Sequence, residues 1–337
     1  MSISDLSRIE LGPTFLLGLC TVVSMFQSLC LADQAPSQEP GLQVRINPPV
    51  RLPIVDATDN RFLRLSTAEG LSQPKADYMV QDNQGFMWFG TRYGLYRYDG
   101  YTLKVFVREP GNPNSLDGVS IRALFKDRDG TLWVGCDQSL NKFDPTTESF
   151  VQYPIPLTTR ITQDTGGLLW IATSGGLYRL DSASGGIQHY FHDPNDPSSL
   201  SSNHLTYCGQ DRTGTFWVAG EGGLDEFDRR SGKVNRHVTL PGTEGGFQFY
   251  EDRFGVFWIL HGPPNALAVF DRTTNTLTNY EFPGLALMRA SEMLEDRNGV
   301  LWIATHGLGL LKLDREQGKF VCYMNIPADP ESLPRIS

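Results

Sequence analysis

The sequence predicts an all-β fold, a β-propeller of four-stranded antiparallel blades, and two repeated phrases predict it. Every tryptophan of the 337-residue chain, six in all, ends the same phrase: an Asp, two residues, a Gly, two residues and the Trp. The copies are Asp82/Gly85/Trp88, Asp127/Gly130/Trp133, Asp164/Gly167/Trp170, Asp211/Gly214/Trp217, Asp252/Gly255/Trp258 and Asp296/Gly299/Trp302. Successive tryptophans stand 45, 37, 47, 41 and 44 residues apart, which marks one supersecondary unit repeated along the chain. A second phrase follows in each unit and closes on Asp99, Asp144, Asp181, Asp228, Asp271 or Asp314. The step from Trp to that Asp is 11 residues in four units, then 13 and 12, so length variation belongs to the connections between rigid units.

The amino terminus reads as a secretory signal over residues 1–32. Residues 15–31 are mostly apolar but broken by Ser24, Gln27 and Ser28, and Cys30 and Ala32 are small residues at −3 and −1 of a cleavage site. An uncleaved anchor is the alternative. Residues 33–60 carry Pro36, Pro40, Pro48, Pro49 and Pro53 and are expected to be an extended linker. Residues 61–66 form a lone strand ahead of the first complete unit, and the propeller itself is expected over residues 61–337.

Each unit then reads as a four-stranded meander. In the sixth, residues 291–295, 300–305, 310–313 and 320–325 are short runs rich in β-branched and aromatic residues, divided by Gly, Asn and Asp. The first turn is the Asp-x-x-Gly element, in which the Asp side chain accepts bonds from its own downstream backbone and Gly supplies a positive φ. A later turn is Asp181/Gly185, Asp228/Gly232, Asp271/Asn275 and Asp314/Gly318, suited to a turn closed by a left-handed residue. Second strands such as residues 169–172 and 301–304 are apolar on both faces, so both faces must be covered by neighbouring units. The Trp is then a wedge between blades. A helical solenoid is excluded, because no unit holds 10 to 12 residues of 3.6-residue periodicity free of Gly, Asp and Pro.

Composition narrows the function classes. The net charge is −9, or −8 without residues 1–32, and there are no basic clusters, so nucleic acid is not an expected partner. Cys136, Cys208 and Cys322 fall in different units and are expected to be buried free thiols. There is no HExxH, GxSxG or Walker loop and no clustered metal spacing; no catalytic residue, metal or cofactor is expected. His189 and His192 are read as loop residues.

Residues 81–100 are similar to the opening blade of the two-component regulator propeller family. Residues 295–305 and the linker Asp-Pro-x-Ser-Leu at residues 196–200 and 329–333, with an Asn variant at 112–116, carry the same resemblance, which covers about residues 60 to 337. The resemblance implies the periplasmic sensing half of a membrane-bound regulator, with a histidine kinase or diguanylate cyclase as output in longer relatives. It also implies a seventh blade, so the six repeats here are expected to form an incomplete seven-bladed ring whose missing blades and output domains are partners. A homodimer is a further expectation.

Loops between the second and third strands vary most on such a scaffold, and they place Arg92, Tyr93, Asp137, Glu221, His261 and His306 around one end of the central channel. Aromatic and charged groups there suit a small polar or carbohydrate ligand, bound without catalysis. An interaction scaffold, a propeller lyase and a quinone-dependent dehydrogenase are the alternatives. The dehydrogenase resemblance is loose, because no adjacent Cys pair is present.

Overall fold

The structure, a computed structural model, describes residues 42–57, 76–221, 223–240, 247–261, 267–281, 289–306, 309–326 and 332–333. The signal segment 1–32 and the lone strand at 61–66 lie outside them. Three strands come first: β1 (Leu42–Gln43), β2 (Arg45–Arg51) and β3 (Ile54–Asp56). Blade one is β4 (Tyr78–Gln81), β5 (Met87–Thr91), β6 (Gly94–Tyr98) and β7 (Leu103–Phe106). Blade two is β8 (Ile121–Lys126), β9 (Leu132–Cys136), β10 (Leu140–Asp144) and β11 (Ser149–Tyr153). Blade three is β12 (Thr158–Gln163), β13 (Leu169–Thr173), β14 (Gly176–Leu180) and β15 (Ile187–Tyr190). Blade four is β16 (Leu205–Gln210), β17 (Phe216–Gly220), β18 (Gly223–Asp228) and β19 (Lys233–Thr239). Blade five is β20 (Gln248–Glu251), β21 (Phe257–Leu260), β22 (Leu267–Asp271) and β23 (Thr276–Glu281). Blade six is β24 (Arg289–Glu295), β25 (Leu301–His306), β26 (Gly309–Asp314) and β27 (Lys319–Tyr323). Within each blade the four strands pair antiparallel in sequence order, as the repeat predicts.

One hydrogen-bond set recurs in all six first turns. The Asp Oδ1 accepts the amides two and four residues on, as Asp164 does from Gly166 and Leu168, and Gly167 at φ 88° completes the reversal. Oδ2 accepts the indole Nε1–H of the blade's own tryptophan at 2.7 to 3.0 Å, from Trp88 on Asp82 through Trp302 on Asp296. The carboxylate thus ties turn to second strand and satisfies an indole N–H that burial would otherwise leave without a partner.

The tryptophans wedge between blades. Trp88 packs with Ile121 and Phe143 of blade two, Trp133 with Ile161 and Ile171 of blade three, and Trp170 with Cys208 and Phe216 of blade four. Trp217 meets Phe249 and Phe257 of blade five, and Trp258 meets Met293 and Leu311 of blade six. Trp302 clusters with Ala304, Leu310 and Tyr323 of its own blade and with Leu333.

The linker is a second device. In each copy the Ser hydroxyl accepts a backbone amide six residues earlier, Glu109 to Ser115, Asp193 to Ser199 and Ile326 to Ser332, while the following Leu116, Leu200 and Leu333 are buried.

The expected tether over residues 33–60 is corrected in its described part. Instead of hanging free, β1, β2 and β3 pair parallel with β19, β23 and β27, adding a fifth strand to blades four, five and six. The cause is the unpaired outer edge each blade offers. Pro48 and Pro49 fall where the register of β2 on β23 shifts, the place in a ladder that tolerates missing donors. Val44 packs at the junction of blades four and five, and Leu52 and Ile54 at that of blades five and six, so the segment straps two junctions together. Glu148, at φ 51°, takes in blade two the left-handed place that Gly185, Gly232, Asn275 and Gly318 take later, which its residue type does not signal.

Candidate functional site

First strands neighbour one another around the axis, β4 beside β8, β8 beside β12 and β12 beside β16, and so line the central channel. Register fixes which loops lie at each end of it: Thr158 of β12 stands opposite Thr173, where the turn into the third strand begins. The first residues of the channel strands therefore share one end with the second-to-third-strand loops, and the Asp-x-x-Gly turns occupy the other.

The six sequence-selected residues fall in those loops. Arg92 and Tyr93 are exposed beyond β5, with the Arg92 guanidinium 3.9 Å from buried Asp77. Asp137 is half-buried after β9, its carbonyl accepts the Leu157 amide of the next blade, and its Oδ1 is enclosed without a hydrogen-bond partner among the described residues. Glu221 is exposed after β17, and its amide donates to the His204 carbonyl. His261, expected at the channel rim, follows β21 and is buried. His306 is the last residue of β25, and its side chain lies outside what the structure describes. His189 lies in β15, stacked 4.0 Å from the Tyr178 ring, and His192 in the loop beyond donates to or accepts from the Leu200 carbonyl at 2.6 Å.

Sequence reasoning missed the floor beneath them. Arg160 of blade three reaches across the axis to Glu292 of blade six, Nη1 to Oε1 3.5 Å, and its Nη2 donates to the Tyr207 hydroxyl of blade four at 3.1 Å. Its guanidinium also lies 4.4 Å from the Tyr207 ring centre. Burial alone would lower the Arg160 pKa, but Tyr207, Glu292 and Cys208 outweigh it and raise it, so the guanidinium stays charged. Burial pushes the Tyr207 phenol up, keeping it neutral where its hydroxyl accepts from Arg160. The shared position of Arg160, Tyr207 and Glu292, four residues before the turn Asp, was the available signal.

A further buried carboxylate, Asp225, accepts His237 Nδ1 at 2.7 Å and both the amide and hydroxyl of Ser201 at 2.8 and 2.9 Å. In blade two Asn141 Oδ1 accepts the Asp117 amide in the same way, so this position fastens the incoming linker. Among the described residues no group of three or more His, Cys, Asp and Glu is placed to hold a metal ion, and no helix is long and apolar enough to cross a membrane.

Residues 115–138, the linker end and first hairpin of blade two, match the family model described as two component regulator propeller. The resemblance to that family stands. Among solved structures, the extracellular domain described as that of a hybrid two component system of B. thetaiotaomicron superposes with a TM-score of 0.70 at 27% identity, over 81% of this chain and 38% of that one. The extracellular domain described as that of a one component system from the same organism gives 0.63 at 21% identity, over 80% and 40%. The chain thus spans about two-fifths of the length of these neighbours. A streptogramin B lyase shares the fold, with a TM-score of 0.61 at 16% identity over 78% of this chain and 88% of that one. No curated protein sequence matches the chain.

Proposed function

We propose that this propeller is the extracytoplasmic ligand-sensing part of a two-component-type regulator, and that it binds a small polar ligand, a glycan by preference, without converting it. The observation that carries the reading is the loop end of the channel, where exposed Arg92, Tyr93 and Glu221 stand above a charged floor of Arg160, Tyr207 and Glu292. Donors and acceptors of both charges beside an aromatic ring suit hydroxyl-rich ligands. The likeness to extracellular domains of two-component systems supports a sensing role and a place outside the cytoplasm. Output would come from partner domains, and a homodimer would carry the signal between copies.

A glycan panel followed by calorimetry and product analysis tests this. Binding should weaken at least tenfold in Arg92→Ala, Tyr93→Ala and Glu221→Ala, with the melting temperature nearly unchanged, because exposed loop groups contribute little to the blade core. Conversion of a bound glycan would replace the sensor with a lyase or hydrolase. Binding that survives all three substitutions would remove this rim as the site, and an empty panel would favour an interaction scaffold.

A further inference from the structure

The opposite end of the blades carries a repeated ionic latch that is present at the last three junctions and missing at the first two. In blades four, five and six the residue after the second-phrase Asp is an arginine, and it pairs with the turn Asp of the preceding blade: Arg229 with Asp164 at 3.0 Å, Arg272 with Asp211 and Arg315 with Asp252. Each time the arginine meets Oδ2, the oxygen that already accepts the tryptophan indole, so this oxygen has room for two donors. Each guanidinium also lies over an aromatic ring, Arg229 at 5.5 Å from Phe216 and Arg272 at 4.8 Å from Phe257.

In blade two that place is Pro145 and in blade three Ser182, and among the described residues no arginine or lysine pairs with Asp82 or Asp127. A cavity of about 570 Å3 opens there between blades one and two, with Asp82, Trp88, Leu132, Lys142, Pro145 and Val151 in its lining. The same junction breaks a second pattern. At the next four turns the amide after the Asp is met by an acceptor from the following blade, Arg128 by Gln163, Thr165 by Gln210, Arg212 by Glu251 and Arg253 by Glu295. At this junction the corresponding residue is Lys126, which instead donates to Asn83 Oδ1 at 3.0 Å. Arg97, also in the lining, is held by Glu148 at 2.9 Å, and Lys104 pairs with the same carboxylate.

We propose that this cavity binds a guanidinium group, with Asp82 Oδ2 as its counter-ion, in the place that Arg229, Arg272 and Arg315 fill at later junctions. Asp82 Oδ2 accepts only the Trp88 indole, at 2.7 Å, among the described residues. Leu132, Pro145 and Val151 give the ligand's carbon chain apolar walls. Lys142, 5.8 Å from the Trp133 ring, makes a second positive charge on the ligand unfavourable. Planar guanidinium is preferred over ammonium, because only it can face a carboxylate and stack on a ring at once. The site is separate from the loop end of the channel and does not rest on the sensing proposal.

Titration of the full chain with ethylguanidinium and with a capped pentapeptide centred on arginine separates a free small ligand from a side chain presented by a polypeptide. The Trp88 indole N–H resonance should move with either probe, the tighter one naming the source, and a lysine-centred peptide should bind at least tenfold more weakly. Pro145→Arg supplies the missing latch; it should raise the melting temperature and weaken binding of both probes at least tenfold, while Pro145→Ala leaves binding intact. Failure of both probes to bind, or binding undiminished in Pro145→Arg, overturns the proposal. Should Pro145→Arg not fold, Asp82→Asn, which keeps the turn acceptor and removes the charge, must give the same loss.

Discussion

Trp170 concentrates the residue-scale argument: fully buried, it fills the gap between blades three and four, lies 4.9 Å from Phe216, and donates its indole N–H to Asp164 at 2.9 Å. Trp170→Ala would leave a cavity and remove one of the two donors to Asp164 Oδ2, so a loss of about 3 to 5 kcal/mol is expected in a denaturant titration, and one below about 1 kcal/mol would refute the wedge role. Arg230→Ala, on an exposed turn, should lie within about 0.5 kcal/mol of the parent. The three described cysteines are free and buried, as their scatter through the units suggested. Burial pushes the Cys136 and Cys208 thiols up to about 12 and Cys322 to about 11, with Asp137 and Asp117 adding to the effect on Cys136. Folded protein at pH 8 should therefore leave all three unlabelled by a thiol reagent in peptide mapping, with labelling only after denaturation. Stoichiometric labelling of the native chain at any of them would show that its blade opens readily.

The turn and its latch decide behaviour at the scale of the element. For Asp211, burial acts to raise the pKa, but bonds from Thr213 and the Trp217 indole, the charge of Arg272 and the Thr215 amide together hold it below the ordinary 3.8. A carboxyl lowered in the folded state binds protons more weakly there than in the unfolded chain. Its stabilisation is complete above the ordinary carboxylate range and is lost as pH falls through it. Melting temperature should hold steady down to about pH 5 and then fall, and Asp211→Asn should show a lower plateau and a shallower acid limb. Superimposable acid limbs would mean that this latch carries no pH dependence. Much of the element was legible, because the Asp-x-x-Gly spacing names the turn. The constant six-residue step from Asp to Trp also encodes the carboxylate–indole bond, which the spacing alone marks only as a repeat. The latch was written as an arginine after the second Asp in units four to six, but its partner lies in another blade, so nothing local exposed it. Distance in the chain also hid the β2–β23 pairing, whose Asn47–Thr278 bond spans 231 positions, behind a proline-rich composition that reads as a linker. At the candidate site the rim followed from loop register, whereas the Arg160–Glu292 contact needs the ring itself to bring blades three and six together.

Among the described residues the five apolar junctions from blade one to blade six each draw buried residues from two blades, while the outward flanks of blades one and six draw on no second blade. On blade one Met87, Phe89 and Tyr96 cluster with Met79, Tyr98 and Leu103 of the same blade and with Ala76; on blade six Trp302 clusters within its own blade, with Ala57 and Leu333 beside it. Trp302 is 8% exposed where Trp170 is 0%. A ring closed directly between blades six and one would bury both flanks in one shared cluster, as at every other junction, whereas a ring of seven leaves these flanks for one more blade. We therefore expect opening to begin at these two blades, because a sheet packed on one face loses fewer contacts when it separates. Hydrogen exchange on the full chain measures this directly: amides of β5 and β25 should exchange at least tenfold faster than those of β13 and β17, which are covered on both faces. Equal protection in all four strands would show that blades one and six are sealed against each other, and the seven-bladed reading would then give way to a closed ring of six.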